Sequence, residues 1–199
     1  MQYVIIGNST AATFAVEGIR AQDKRGKIVI LSDEARPAYG RPLISYYLYG
    51  RIALENTAYR PASFYAENAV EVRLNTRAAA VDAEKKRVLL ADGSFVPYDK
   101  LLVATGSRPF IPPTAGYESV ERRFTFMTMD DALALERELS PDRRVLVVGA
   151  GLIGLKCVEG ILDRVRSVTV VDMADRILSS ILDEEGAALV RRQLEEKGV

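Results

Sequence analysis

An α/β architecture is predicted for this chain: two Rossmann-like dinucleotide-binding folds, the second incomplete, in three layers with a small antiparallel β meander. Three observations predict it. Short apolar runs alternate with stretches of helical periodicity, the stretch from Val145 to Asp172 reads strand, glycine loop, helix, strand and acid, and the N-terminal stretch from Tyr3 repeats that order.

The stretch from Val145 is the most informative. Val145 to Val148 are four consecutive apolar residues, the pattern of a strand buried on both faces. The run breaks at Gly149-Ala150-Gly151-Leu152-Ile153-Gly154, a GxGxxG sequence opening a helix. In that pattern Gly149 allows the tight turn, Gly151 lets a diphosphate approach the backbone, and Gly154 lets helix and strand pack closely, with the phosphates on the free helical N–H groups. Val168 to Val171 form the next strand. Asp172 follows it, near the spacing of roughly 20 residues expected of an acid that binds a ribose. A carboxylate there favours NADH, because it repels the additional phosphate of NADPH.

Taken in order, Tyr3 to Ile6 form a strand, Gly7 breaks it, and a helix follows to about Gln22, burying Ala12, Ala15, Val16 and Ile19. Ile28 to Leu31 form the second strand. Placing Gly7 on Gly149 aligns Val16-Glu17-Gly18-Ile19 with Val158-Glu159-Gly160-Ile161, so the chain carries an internal duplication and two dinucleotide sites. In the first copy, GNSTAA, Ser9 and Ala12 replace the second and third glycines, and both are small enough for close backbone approach. Ser32 replaces the strand-end acid, leaving Asp33 or Glu34 to reach a ribose. Between the copies, a turn at Tyr39 to Ser45 enters a short helix through Leu48, and a second helical piece spans Ser63 to Asn68. Glu71–Leu74, Ala78–Val81, Arg87–Leu90 and Ser94–Val96 are short strands, the last two joined at Ala91-Asp92-Gly93. Leu101 to Ala104 form another buried strand. The Pro-rich run from Phe110 to Gly116 puts a boundary at 1–113 and 114–199, and helices are predicted over Met129–Leu139 and Asp183–Lys197.

Composition narrows the function classes. The chain is 48% hydrophobic and its 27 basic and 27 acidic residues cancel, which gives no sign of a nucleic-acid or membrane surface. No apolar run reaches the roughly 20 residues of a membrane span, so a cytoplasmic protein is expected. Cys157 is the only cysteine and there is no histidine. That excludes an intrachain disulfide, a histidine base and a zinc site built on Cys and His, and it places any redox chemistry in a bound cofactor.

GNSTAA, YGRPLIS, the Asp-Gly hairpin followed by YDKLLVATGSRP, and GAGLIGLKCVEG followed by VTVVDMADRIL together resemble, in order and spacing, the FAD-dependent pyridine nucleotide-disulfide oxidoreductases. Within them, the sequence is most similar to the branch holding rubredoxin and ferredoxin reductases, the nitrite reductase large subunit and NADH oxidases. The resemblance implies that the first fold, 1–113, binds FAD and the second, 114–199, binds NAD(P)H. It implies that Gly7, Ser9 and Ala12 carry the FAD diphosphate, Asp33 or Glu34 the ribose, Ala78 the adenine edge, Arg41 and Pro42 the flavin region, and Ala104-Thr105-Gly106 the crossover beside the cofactor. For the second cofactor it implies Gly149, Gly151, Gly154 and Asp172.

The resemblance also marks departures. Thiol-dependent members place a redox cysteine in the segment aligned with Arg41 to Ser45, and none stands here, so disulfide reduction is not expected. Cys157 reads as a small buried residue. Tyr46 stands where ferredoxin-type reductases carry lysine, and Lys156 where a glutamate near the nicotinamide is usual. Members continue past EEKGV through the rest of the NAD domain, which implies that this chain stops within it. Exposed edges and apolar faces are then expected, with self-association or a complementing C-terminal segment to cover them. The activity implied is hydride transfer from NADH to flavin, then electron delivery to rubredoxin, ferredoxin, a nitrite reductase module or oxygen. The alternative is a non-catalytic nucleotide-binding or assembly fragment that does not hold FAD by itself.

Overall fold

The computed structural model describes every residue from Met1 to Val199. Its elements are β1 (Gln2–Ile6), α1 (Thr10–Gln22), β2 (Lys27–Leu31), α2 (Leu43–Leu48), α3 (Phe64–Glu67), β3 (Val70–Arg73), β4 (Ala78–Asp82), β5 (Arg87–Leu90), β6 (Phe95–Pro97), β7 (Lys100–Val103), α4 (Met129–Glu138), β8 (Arg144–Val148), α5 (Leu152–Ile161), β9 (Ser167–Val171) and α6 (Glu184–Glu196). They fall into two compact units, one of residues 1–40 and 55–107, the other of 41–54 and 108–199. No helix is long and apolar enough to cross a membrane.

The first unit has three layers. Its parallel sheet runs β3-β2-β1-β7 and its antiparallel sheet runs β4-β5-β6. Because successive side chains of a strand point to opposite faces, β1 and β2 each serve two cores. Ile5, Ile28 and Ile30 meet Ala12 and Val16 of α1 and Phe64 of α3 on one face. Val4, Ile6, Val29 and Leu31 meet Val88, Leu90 and Val96 of the meander on the other. The β5–β6 turn closes as the Asp-Gly pair predicts: Gly93 has φ +86° and its N–H donates to the Leu90 carbonyl at 3.1 Å.

In the second unit β8 and β9 pair in parallel, Val147 opposite Val170. Val145, Val147, Val168 and Val170 face Cys157, Val158 and Ile161 of α5. The opposite face is bare, with Leu146 60%, Val148 63% and Val171 43% exposed, so the four-residue apolar run is buried on one face and not on both. The Leu101 to Ala104 run is also less buried than expected, here on both faces. It forms the edge strand β7, with Leu102 39% and Val103 60% exposed. Helix α4 begins on a full capping box, Thr128 accepting from Asp131 N while the Asp131 carboxylate accepts from Thr128 N. Asp183 caps α6 by accepting from Gly186 N at 2.9 Å. Of the three clustered tyrosines, Tyr47 donates to Glu136 at 2.7 Å, whereas Tyr46 and Tyr49 lie half-exposed under Arg51, whose guanidinium is 6.0 and 4.5 Å from their rings.

The duplicated helices differ at their aligned glycines. A Cβ on Gly18 meets nothing within 4 Å, whereas one on Gly160 comes to 3.1 Å from the Leu48 side chain of α2. Gly18→Ala is expected to stabilise the chain by about 0.5–1 kcal/mol by removing a mid-helix glycine. Gly160→Ala is expected to destabilise it by about 1–2 kcal/mol by overpacking Leu48, which is 0% exposed. Urea denaturation of the two variants measures both signs.

Candidate functional site: two glycine loops

Both glycine loops are built on one plan. Gly7 ends β1 with φ +110° and Gly149 ends β8 with φ +108°, backbone that L side chains rarely adopt. Gly7 N donates to the Leu31 carbonyl at 2.8 Å, and Gly149 N to the Val171 carbonyl at 2.8 Å, so each loop is tied to the end of the next strand by the same bond. Helices α1 and α5 then start at Ser9 and Gly151, both extended and both without a side-chain cap. Their first-turn N–H groups are left for an anionic ligand.

Around the first loop, a Cβ on Gly7 would run into the Ala104 carbonyl, and Ala104 N donates to the Ile6 carbonyl at 2.8 Å. The Ala104-Thr105-Gly106 segment therefore lies directly against Gly7. Thr105 and Gly106 are exposed, and Gly106 has φ +69°. Ala12 is 0% exposed and packs on Ile5 and Ile30, filling the place that a third glycine would leave open. Past β2, Ser32 is buried and Asp33 exposed, while Glu34 is half-buried and accepts from Tyr39 Oη at 2.6 Å. The structure thus gives Glu34 a defined orientation that it does not give Asp33. Ala78 opens the meander opposite Leu90.

Arg41 and Pro42 belong to the second unit. Arg41 donates to the Met127 carbonyl at 2.9 Å and Pro42 precedes α2. In the second loop a Cβ on Gly154 would run into the Gly149 carbonyl, so this glycine is what allows α5 to start so close to β8. Asp172 reaches back to the loop, one carboxylate oxygen accepting from Ala150 N at 2.6 Å and the other from Ala174 N at 2.8 Å. The N–H groups of Ala174 and Ala150, in that order, hold its carboxyl below the usual carboxylate range.

A depressed folded-state value means that Asp172 contributes stability above its unfolded value of about 3.9, lost as pH falls through the folded value. Asp172→Asn is therefore expected to be less stable than the parent at pH 6 and to converge with it as pH falls through the folded value. Urea denaturation over a descending pH series measures this.

Two contacts had no signal in the sequence. Tyr65 of α3 bonds to Asn8 inside the first loop at 2.9 Å. Lys156 lies 4.8 Å from the Tyr46 ring centre and pairs with Glu159, so two positions that depart from the family pattern touch each other. Cys157 is buried, and burial pushes its thiol up to about 12, which leaves no thiolate for disulfide chemistry. A shallow cleft of about 540 Å³ lined by Ile111, Tyr117, Arg123 and Phe124 among others includes no residue of either loop.

The family model for pyridine nucleotide-disulphide oxidoreductases matches residues 1–199. The chain is 34% identical over 197 residues to the epsilon subunit of NADH-dependent phenylglyoxylate dehydrogenase from Aromatoleum evansii, covering 99% of this chain and 47% of that protein. It is 34% identical over 200 residues to rubredoxin-NAD(+) reductase from Pseudomonas putida, covering 100% of this chain and 52% of that one. Among solved structures, the covalent putidaredoxin reductase–putidaredoxin complex matches with a TM-score of 0.89 and 28% identity, over 100% of this chain and 48% of the other. The chain spans about half the length of these relatives. It belongs to the pyridine nucleotide-disulphide oxidoreductase family, whose cofactors are FAD and NAD(P)H.

Proposed function

We infer that residues 1–113 and 114–199 supply the FAD-binding and NADH-binding parts of an NAD(P)H:acceptor oxidoreductase. The observation that carries this reading is the twice-built loop, Gly7 tied to Leu31 and Gly149 tied to Val171, each opening an uncapped helix. When bound, the cofactors supply the redox chemistry, a hydride passing from dihydronicotinamide to flavin and electrons then leaving for the acceptor. The chain's own residues bind and orient. The N–H groups after Ser9 and Gly151 take the two diphosphates, and Gly7, Ala12 and Gly154 keep the backbones close enough for them to do so.

Glu34, aligned by Tyr39, is assigned to the ribose of the first nucleotide in preference to Asp33. Asp172 keeps lone pairs for the ribose of the second, and its charge sets the preference for NADH. Ala78, Arg41, Pro42 and Ala104 to Gly106 are assigned to the FAD side on the family pattern. The acceptor is of the class taken by relatives named for rubredoxin, putidaredoxin and nitrite. A second reading, an assembly module without a competent site, is favoured by the exposed face of Leu146, Val148 and Val171. The two separate on a visible spectrum of the chain incubated with FAD and desalted. Retained flavin bands that fade anaerobically with NADH support the oxidoreductase, and a colourless oligomer supports the module.

A further inference from the structure

The segment between the two parts of the first unit is held by the second unit. The chain leaves the first unit after Gly40 and re-enters it at Glu55. The ends of this excursion are tied to each other, Gly40 N donating to the Thr57 carbonyl at 2.8 Å and Tyr59 N to the Ala38 carbonyl at 2.9 Å. What lies between, α2 included, belongs to the second unit. Leu48 of α2 is 0% exposed and packs with Leu135 of α4 and with Val158 and Ile161 of α5. Glu136 of α4 holds two partners at once, one carboxylate oxygen accepting from Tyr47 Oη at 2.7 Å and the other from the Arg164 guanidinium at 3.3 Å. The same nitrogen of Arg164 donates to the Leu48 carbonyl at 2.9 Å, at the end of α2, where helical carbonyls lack intrahelical partners and attract a cation. A helix of six residues has little stability by itself, so these contacts are what keep α2 formed.

We propose that Glu136 is a positioning residue: with Arg164 it clamps segment 41–54 to the unit carrying the Gly149 loop, so that Arg41 and Pro42 are placed by the nicotinamide-nucleotide unit. Helix α5, whose first turn takes the nucleotide diphosphate, is also a helix on which α2 packs. A nucleotide that stabilises the second unit therefore stabilises α2 with it. The states in which α2 opens are minor ones, so suppressing them leaves the affinities of the two sites independent. What the clamp fixes is position, which hydride transfer needs more than affinity. The proposal rests on reading the second loop as the NADH site and Arg41 and Pro42 as flavin-side residues.

The test is native-state hydrogen exchange, read by NMR with and without NAD⁺ at about a hundred times its Kd, on the parent, Glu136→Leu, Glu136→Gln and Arg164→Met. In the parent, amides of α2 that open with the second unit should slow by up to about a hundredfold, together with those of β8, β9 and α5, while β1 and β2 are unchanged. In Glu136→Leu and Arg164→Met the α2 amides should exchange about ten- to a hundredfold faster than in the parent. Their response to NAD⁺ should fall below about threefold while β8 and β9 keep theirs, because α2 then opens without the rest of the unit. Glu136→Gln retains an acceptor for Tyr47 and for Arg164, so it should recover most of the response. Protection of β8 and β9 that α2 does not share in the parent, an undiminished α2 response in Glu136→Leu, or equal acceleration of all elements of the second unit in that variant would overturn the proposal. A parent chain whose β8 and β9 ignore NAD⁺ would overturn the NADH reading of the second loop along with it, a result distinct from protection that stops short of α2.

Discussion

Gly7→Ala is expected to abolish FAD binding and to destabilise the chain by about 3 kcal/mol. Two effects add. At φ +110° any Cβ is strained, by about 1–2 kcal/mol. The new methyl group also runs into the Ala104 carbonyl, and because that is backbone at the end of β7 it does not swing aside like a flexible side chain. Overpacking of that kind costs about 1–3 kcal/mol. In a domain of this size the sum lowers the melting temperature by about 6–12 °C. Circular dichroism melts and FAD titration measure the two effects. A variant as stable as the parent and still binding flavin would mean that Ala104 does not rest on Gly7.

Gly154→Ala should act on the other nucleotide. No unusual φ is involved, so the whole effect comes from a methyl group meeting the Gly149 carbonyl, with Val147 a further 3.4 Å neighbour. Helix α5 must move away from β8, carrying its first-turn N–H groups off the diphosphate position. The expected result is a loss of about 1–3 kcal/mol in stability and a drop of at least about tenfold in NADH affinity, with FAD affinity unchanged. Fluorescence titration of NADH alongside FAD titration makes the comparison. A matching loss of FAD would show that the two loops are not independent.

Much of this arrangement was legible in the residues because it is local. Apolar runs ending in a glycine located β1 and β8, the apolar runs after the two helices located β2 and β9, and the Asp-Gly pair located the β5–β6 hairpin, with ends shifted by about one residue where the last hydrogen bond depends on a neighbouring strand. The glycine loops were legible too, since turn, close approach and helix start follow one another within six residues.

Contacts between residues distant in sequence were not legible. A run such as Val145 to Val148 has the same letters whether one face is covered or two, and only the fold shows that Leu146 and Val148 are exposed. The choice between Asp33 and Glu34 depends on where the Tyr39 hydroxyl lands. Gly18 and Gly160 align perfectly and yet differ, because only the second has Leu48 against it. Asn8 and Tyr65, 57 residues apart, carried no pattern that linked them. Tyr46 and Lys156 each stood out alone, and their contact became visible only once α2 was seen packed on α5.

The proposed function puts two independent dinucleotide sites in one chain, one per loop. Its most direct measurement is calorimetric titration of FAD into the chain, followed by NAD⁺ into the flavin-loaded chain, with Gly7→Ala and Gly154→Ala run in parallel. The expected result is one FAD and one NAD⁺ per chain, bound without competition, the first lost in Gly7→Ala and the second in Gly154→Ala. A single shared site, with NAD⁺ displacing FAD or one substitution removing both, would contradict it.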